Sequence, residues 1–172
     1  DWDELKTVME TDMPSGRLKR VKDVFVFCAL TGLSYRGIST LCPSHLFRDD
    51  EGTLWICRTR AEGAEVGDSC TSRVPLLKPA MVLLEKYRGW NPMNPEGPCF
   101  PVPSVQKMNE YLKEVAVRCR ISKRLTTQMA RNTFAATVTL ANRIPKEHVR
   151  EMLGYSSDYM LRHYMQAQER NL

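Results

Sequence analysis

The stretch MLGYSSDYMLRHYM, residues 152–165, contains three tyrosines, Tyr155, Tyr159 and Tyr164. A phenol hydroxyl can act as a covalent nucleophile or donate a hydrogen bond. On a helix that begins after the turn at Gly154, Tyr164 lies on an arc with Met160, Leu161, Met165 and Gln168. Tyr159 lies on a different face, and Tyr155 belongs to the turn itself. Periodicity alone therefore favours a core position for Tyr164.

Arg131 is a second candidate for chemistry. On a helix over TQMARNTFAATVTL, with about 100° between successive residues, Gln128 and Arg131 share one narrow polar stripe and apolar residues cover most of the remainder. A guanidinium placed in this way needs an anionic partner. Two interpretations are open: an ion pair with an Asp or Glu of the same chain, or a phosphate clamp in which Gln128 donates to the same oxyanion.

The basic residues are clustered, although the net charge is only +5. The run RCRISKRLTTQMAR, residues 118–131, has five cations and no acid, and a second cluster lies in GRLKRVK, residues 16–22. The first run contributes Arg118, Arg120, Lys123, Arg124 and Arg131. Each run alone could be a solvated helix end. Two such runs in one chain favour a polyanion partner, DNA or RNA, because phosphate backbones are bound chiefly by clustered Lys and Arg.

Several functional classes are disfavoured by composition. The six cysteines form no CxxC pair and the three histidines have no ligand spacing, so we expect no metal site and reduced thiols. No apolar run has the length needed to cross a bilayer, and the start DWDELKTVME is too acidic for a secretory signal. The 172 residues suit one cytoplasmic domain.

The elements that must position these side chains are mainly helical. Helices are predicted over 1–11, 16–31 and SYRGISTL, with Ser34 as an N-cap and Pro43 as the end of the third. HLF, TLWICRT and SRVPLL predict a three-stranded antiparallel sheet. The remaining helices are predicted over KPAMVLLEKYRG, SVQKMNEYLKEVAVRC, TQMARNTFAATVTLAN, PKEHVREML and SSDYMLRHYMQAQ. Pro145 is expected in a first helical turn and Gly154 at a C-cap. The predicted fold class is α+β, mainly α-helical.

Four segments, in this order and spacing, resemble the catalytic domain of tyrosine recombinases, the phage-integrase family, particularly integrases of mobile elements in Bacteroides-like bacteria. They are FVFCALTGLSYRGISTL, SRVPLL, TTQMARNTFAATVTLAN and MLGYSSDYMLRHYM. The resemblance implies one catalytic domain over residues 1–172, with the family's N-terminal core-binding domain absent from the chain. It also implies double-stranded DNA and other protomers in a tetrameric synapse as partners, a monomeric isolated domain, and a bacterial nucleoid location.

The chemistry that the resemblance implies is DNA strand exchange without a metal or other cofactor. A tyrosine hydroxyl attacks the scissile phosphate and forms a 3′-phosphotyrosyl link, and a free 5′-hydroxyl of another strand later reverses the step. Such a reaction needs a nucleophile, cationic donors on the nonbridging oxygens and an acid for the departing 5′ oxygen.

Residue by residue, the resemblance places the nucleophile at Tyr164 and the second arginine of the family pattern HxxR at Arg131. The chain departs from the family at four positions: Gln128 replaces the first histidine of HxxR, Tyr155 the later histidine, Arg60 the hairpin lysine and Ser34 the first arginine. Glutamine and tyrosine can donate to a phosphate oxygen, but glutamine cannot transfer a proton and arginine is a poor general acid.

Arg36, two residues after Ser34, is a candidate substitute for the missing arginine and joins Arg118, Arg120, Lys123 and Arg124 as an expected DNA contact. Two alternatives to an active recombinase remain. One is a catalytically degenerate DNA-binding protein of the same fold with a regulatory or accessory role. The other is an unrelated helical domain, in which Arg131 pairs with a carboxylate.

Overall fold

A computed structural model of the chain describes residues 1–59, 71–155 and 161–162. Within these ranges the α-helices are α1 (Trp2–Glu10), α2 (Gly16–Thr31), α3 (Tyr35–Ser39), α4 (Lys78–Lys86), α5 (Val105–Arg118), α6 (Thr127–Thr133) and α7 (Lys146–Leu153). The strands are β1 (Leu46–Arg48), β2 (Leu54–Thr59) and β3 (Thr71–Pro75). A 3-10 turn over Pro43–His45 leads into β1. Each helix here is too short or too polar to cross a membrane.

Helix α2 is the centre of the main core. Its residues are buried almost without interruption from Val24 to Thr31, and α1, α4, α5 and α6 pack around it. Phe27 on α2 contacts Phe100, with 4.6 Å between ring centroids. The helix begins at the cap Ser15 and ends at Gly32, which adopts a left-handed conformation with φ 73°. A rigid, buried α2 therefore fixes the position of its own C-terminal end.

The sheet is antiparallel with strand order β1-β2-β3, as the sequence predicts. Ile56 lies opposite Val74, and Arg58 lies opposite Ser72. Val74 belongs to a second buried cluster with Phe134, Ala135, Val149, Leu153 and Leu161. This cluster joins β3 to α7 and to the π-helical turn that follows α6.

The helix predicted over TQMARNTFAATVTLAN is divided, which corrects the sequence-based prediction. After α6 the chain forms a π-helical turn, Phe134–Thr139, and a 3-10 turn, Leu140–Asn142. The hydroxyl of Thr133 donates to the Met129 carbonyl at 2.9 Å, and that of Thr139 to the Ala135 carbonyl at 2.7 Å. Such bonds, together with β-branched side chains, weaken regular helix geometry.

Two prolines occupy positions other than those predicted. Helix α3 already ends at Ser39, and Pro43 begins the 3-10 turn instead of ending the helix. Pro145 is the N-cap of α7, one residue before its first turn. Ser34 and Gly154 take their predicted roles as N-cap of α3 and C-cap of α7. Of the last predicted helix, the described residues Leu161 and Arg162 are helical.

Candidate functional site

Arg131 lies at the meeting point of three segments of chain. Its Nη2 donates to the Leu153 carbonyl at 2.6 Å, its Nη1 to the Gly32 carbonyl, and its Nε to the Tyr155 hydroxyl at 3.2 Å. The guanidinium also lies over the Tyr155 ring, 4.9 Å from the centroid. The side chain is half-buried. Helix α6 therefore presents a cation between the C-terminal ends of α2 and α7.

The carbonyl acceptors are available because they stand at helix ends. The last carbonyls of an α-helix have no donor within the helix. Gly32 is the C-cap of α2 and Leu153 is the last residue of α7, and both helices end in a left-handed glycine. A Cβ atom on Gly32 would lie 2.5 Å from the Phe134 ring. Glycine at 32 thus permits both the backbone turn and the close approach of Phe134.

The acceptors that the structure describes for the Arg131 guanidinium are neutral. Among the residues of these ranges, no Asp or Glu forms an ion pair with it. The intramolecular ion pair that the sequence left open is therefore not found in this part of the chain. Dipoles orient the cation without neutralising its charge, so the site favours an anion.

Tyr155 is brought to Arg131, whereas Gln128 makes no direct bond to it. The Tyr155 side chain is half-buried and supplies both its hydroxyl and its ring face to the guanidinium. Gln128 is exposed one turn earlier on α6, and its Nε2 donates to the Asn132 side chain at 2.9 Å. The structure therefore joins two of the three predicted residues of this region.

Ser34 and Arg36 lie at the start of α3. The Ser34 hydroxyl accepts the Gly37 N–H at 3.1 Å and so caps the helix. Arg36 is exposed in part and lies close enough to Arg58 to affect its titration. Gly32, whose carbonyl accepts a hydrogen bond from Arg131, lies two residues before Ser34. The start of α3 is therefore next to the Arg131 site along the chain.

Arg58, on β2, is a basic residue of this region that sequence reasoning missed. Its guanidinium donates to the Gly37 carbonyl and to the Thr40 hydroxyl, the latter at 2.7 Å. Burial lowers the Arg58 pKa, Cys42 opposes that shift, and the Arg36 charge adds to it. No signal in the sequence marks Arg58, because its partners Gly37 and Thr40 are 21 and 18 positions away.

The hairpin and α7 are tied together beside Arg131. Ser72, opposite Arg58, donates its hydroxyl to the Met152 carbonyl at 2.5 Å. A Cβ atom added to Gly154 would lie 3.4 Å from the Ser72 Cβ, so the two backbones are close. Arg58 therefore lies across the sheet from the residue that anchors the C-terminal end of α7.

The predicted DNA contacts of the basic run lie at the end of α5 and after it. Arg118, Arg120 and Arg124 are exposed. Lys123 instead donates to Glu4 at 2.8 Å, and this hydrogen bond is the main reason that the Glu4 pKa is lowered. Part of the predicted charge of this run is thus paired with α1.

Two predicted catalytic residues, Tyr164 and Arg60, lie outside the described residues. The nearest described positions to Tyr164 are Leu161 and Arg162. Leu161 is fully buried in the cluster of Val74, Phe134 and Leu153. Leu161 is therefore in the same buried cluster as Leu153, whose carbonyl accepts a bond from Arg131.

No protein-family model matches the chain, and no curated protein sequence matches it significantly. The chain does match several solved structures. The XerA recombinase aligns with a TM-score of 0.73 and 18% identity over 99% of this chain and 60% of that one. The XerH site-specific recombinase bound to palindromic difH, in a post-cleavage complex, gives a TM-score of 0.71 and 15% identity over 99% and 48%.

The Tn1549 transposon integrase bound to transposon right-end DNA gives a TM-score of 0.69 and 14% identity over 99% of this chain and 62% of that one. The chain thus spans between 48% and 62% of the length of these three structures. At such identities the likeness concerns the fold. The mainly helical chain with its small antiparallel sheet has the fold of tyrosine-recombinase catalytic domains.

Proposed function

We propose that the chain is the catalytic domain of a DNA integrase or site-specific recombinase that breaks and rejoins DNA through a 3′-phosphotyrosyl intermediate. The observation that carries this proposal is the Arg131 guanidinium, half-buried and oriented by three neutral acceptors with no carboxylate partner in the described chain. A planar fork of donors held in this way suits a phosphate. The DNA complexes of XerH and the Tn1549 integrase share the fold.

In this mechanism Arg131 binds a nonbridging oxygen of the scissile phosphate, and Tyr155, already bonded to Arg131, donates its hydroxyl proton to the same group. Tyr164 attacks phosphorus, so a phosphorus–oxygen bond to the phenol forms as the bond to the 5′ oxygen breaks. The Tyr164 phenol proton passes to water and the departing 5′ oxygen takes up a proton from water, since neither glutamine nor arginine transfers one. Gln128 is a further hydrogen-bond donor to the phosphate, and Arg60 takes the role of the family's hairpin lysine as a cation.

The position of Ser34 lacks the cation that the family pattern expects. We assign its charge to the neighbouring pair Arg36 and Arg58, which lie on α3 and β2 close enough to interact. Guanidinium groups stabilise negative charge on the phosphate without transferring a proton.

The proposal extends to the setting of the reaction. Residues 1–172 form one catalytic domain that works with a core-binding domain supplied by a longer protein and with other protomers in a tetrameric synapse. Exposed Arg118, Arg120 and Arg124, with Lys123 and Arg36, contact the duplex backbone. The proposed location is the bacterial nucleoid, and the proposed substrate is a mobile element of the Bacteroides type.

Covalent capture tests the proposal without knowledge of the target sequence. The protein is incubated with a library of nicked duplexes randomised across the cut region, denatured, and analysed for DNA that stays attached. A nick beside the cut releases a short strand and prevents rejoining, so the adduct accumulates. We expect adduct with the wild type and none with Tyr164→Phe.

Tyr159→Phe is the matched control, because it removes a phenol hydroxyl five residues earlier and should keep the adduct. If wild type and Tyr164→Phe retain DNA only before denaturation, the chain binds DNA without cleaving it. That outcome replaces the recombinase with the degenerate DNA-binding protein of the same fold.

A further inference from the structure

A thiol and an imidazole face each other at the 3-10 turn between α3 and β1, outside the Arg131 site. Cys42 Sγ lies 3.3 Å from His45 Nδ1 and 3.1 Å from the Ser44 hydroxyl. The Cys42 backbone N–H donates to the same Nδ1 at 3.1 Å. An imidazole nitrogen that accepts an N–H carries a lone pair, so His45 presents its basic nitrogen to the thiol.

The surroundings of His45 keep the ring in its basic form. Burial and the charge of Arg58 lower the His45 pKa, which favours the neutral imidazole at neutral pH. The same Arg58 interacts favourably with a negative charge on Cys42. Cys42 therefore has a proton acceptor on one side and a cation nearby, the arrangement that makes a thiol nucleophilic.

A second thiol lies beside the first. The Cys99 N–H donates to the carbonyl of Leu41, the residue before Cys42, at 2.6 Å. Because Leu41 directly precedes Cys42, this bond brings the backbones of two cysteines that are 57 positions apart in the sequence next to each other. A disulfide needs such close backbones, with Cα atoms about 4.4–6.8 Å apart. Burial, and the charge of a Cys42 thiolate, raise the pKa of the Cys99 thiol to about 11. Cys42 is thus the attacking thiol and Cys99 the resolving one.

Small molecules can reach Cys99 through a cavity that borders the turn of Cys42. Cys99 lines a cavity of about 500 Å³ between the Pro-rich loop and the sheet, together with Pro43, Leu46 and Trp90. Both cysteines are partly exposed, whereas Cys28 and Cys119 are buried. No group of three His, Cys, Asp or Glu side chains in the described residues is arranged to hold a metal ion. The cluster is therefore better suited to thiol oxidation than to metal binding.

We propose that Cys42 and Cys99 form a reversible dithiol site whose oxidant is a small hydroperoxide such as hydrogen peroxide. His45 takes the Cys42 proton, and the thiolate attacks the peroxide, which gives a Cys42 sulfenic acid and water. Cys99 then attacks the Cys42 sulfur, so a disulfide forms and a second water leaves. Two thiols lose two electrons and two protons, and one peroxide is reduced to two waters.

The disulfide would join the turn after α3 to the Pro-rich loop before α5. Thr40, two residues before Cys42, accepts a bond from Arg58. Oxidation therefore creates a covalent link between the segment next to the guanidinium pair of Arg36 and Arg58 and the Pro-rich loop, which is far away in the sequence. This inference does not depend on the proposed recombinase activity, because the chemistry involves only the thiols and the imidazole.

The test is peptide mass spectrometry of the whole chain after hydrogen peroxide treatment and alkylation of the remaining thiols. We expect a Cys42–Cys99 linked peptide, lighter by two hydrogens than the separate peptides, that dithiothreitol reverses. In Cys99→Ser the sulfenic acid at Cys42 should persist and react with dimedone. Cys57, partly exposed on β2, is the internal control and should stay alkylated.

His45→Gln tests whether His45 acts as a base towards Cys42, because glutamine can accept a hydrogen bond but not a proton. We expect it to slow Cys42 oxidation by about 10²-fold, whereas His148→Gln on the exposed side of α7 leaves the rate unchanged. The proposal is overturned if wild-type protein yields no linked peptide, or if Cys42 oxidises no faster than Cys57. The wild-type measurement decides the question even if a variant fails to fold.

Discussion

The Arg131 side chain is anchored by dipoles alone in the described structure, and its charge is the main electrostatic feature of the site. Moving a cation partly out of water costs free energy that neutral acceptors return only in part. A phosphate group would return more, because its negative charge attracts the guanidinium and its oxygens can accept two parallel N–H bonds. The site is therefore preorganised for an anion before the anion arrives.

Replacing Arg131 with lysine should reduce covalent adduct formation by about 10²-fold or more, because one ammonium cannot replace the fork of donors. The initial rate of capture on nicked duplexes measures this effect. Arg88→Lys is the control, since Arg88 is exposed and pairs only with Glu85 at 3.4 Å among the described residues. Equal rates for Arg131→Lys and wild type would contradict a phosphate role for Arg131.

Tyr155→Phe keeps the ring under the guanidinium but removes the hydroxyl. We expect adduct formation to fall by about 10²- to 10³-fold, the usual effect of losing one oxyanion donor. Tyr87→Phe is the matched control, because it also loses one hydroxyl bond, to the Asp23 carboxylate at 2.8 Å, outside the Arg131 site. If the two variants lose capture equally, the effect reflects stability and not chemistry.

At the residue level the sequence could identify some site residues and not others. Arg131 was recognisable from its place on an apolar helix, and the turn position of Tyr155 from Gly154. Arg58 was not, because its significance depends on a partner, Gly37, that is 21 positions away in the sequence. The role of Tyr164 stays a prediction, since helical periodicity alone favours a core position for it and only the family resemblance makes it the nucleophile.

At the level of elements, two helix ends and a hairpin determine where the Arg131 acceptors lie. Both helices end at glycines with positive φ, at 32 and 154, and these ends were predictable from the sequence. The π-helical turn after α6 was not, because threonine hydroxyls that bond to carbonyls four residues earlier, as at Thr133 and Thr139, also occur in the regular helices α1 and α2. Propensity patterns do not distinguish such a turn from a continuous helix.

Gly32→Ala should destabilise the protein by about 2–5 kcal/mol, since it adds the strain of a left-handed alanine to a clash with Phe134. Urea unfolding followed by circular dichroism measures the free energy of unfolding. Gly52→Ala is the control: Gly52 has φ 84° but open space around it, so only the backbone cost of about 1–2 kcal/mol applies. Equal losses of unfolding free energy in the two variants would show that the Phe134 ring moves aside without a further loss of stability.

Ser72→Ala removes the bond from the hairpin to the end of α7. The expected loss of stability is about 1 kcal/mol, because one hydrogen bond disappears and a carbonyl loses its donor. Ser39→Ala, which removes a hydroxyl bond to the Arg36 carbonyl within one helical turn, should cost less. Unfolding midpoints in urea compare the two, and a larger loss for Ser39→Ala would contradict the anchoring role of Ser72.

At the level of the whole molecule, a net charge of +5 is spread unevenly. Exposed Arg118, Arg120 and Arg124 follow the end of α5, whereas Lys123 is paired with Glu4. Backbone phosphates bind such clusters with a strong dependence on salt, because counterions are released. The clustering of basic residues in the sequence could indicate this surface, but not which of its cations are already paired.

Replacing Arg118, Arg120 and Arg124 together with glutamine should weaken binding to any duplex. The slope of log affinity against log salt should become shallower by about 0.9 for each phosphate that the protein no longer neutralises. Fluorescence anisotropy at several NaCl concentrations gives the slope. Lys107→Gln on the same helix is the control, because Lys107 is paired with Glu110 at 3.0 Å. An unchanged slope in the triple variant would place the duplex on another surface.

Two of the three groups that hold Arg131 are main-chain carbonyls, at positions 32 and 153. A carbonyl is present whatever side chain its residue carries, so the cradle survives mutational drift provided that both helices still end where they do. The positions where the helices end, at Gly32 and Gly154, then matter more to the site than the identity of the residues before them. The fold itself is shared with the XerA recombinase and the Tn1549 integrase at only 14–18% identity.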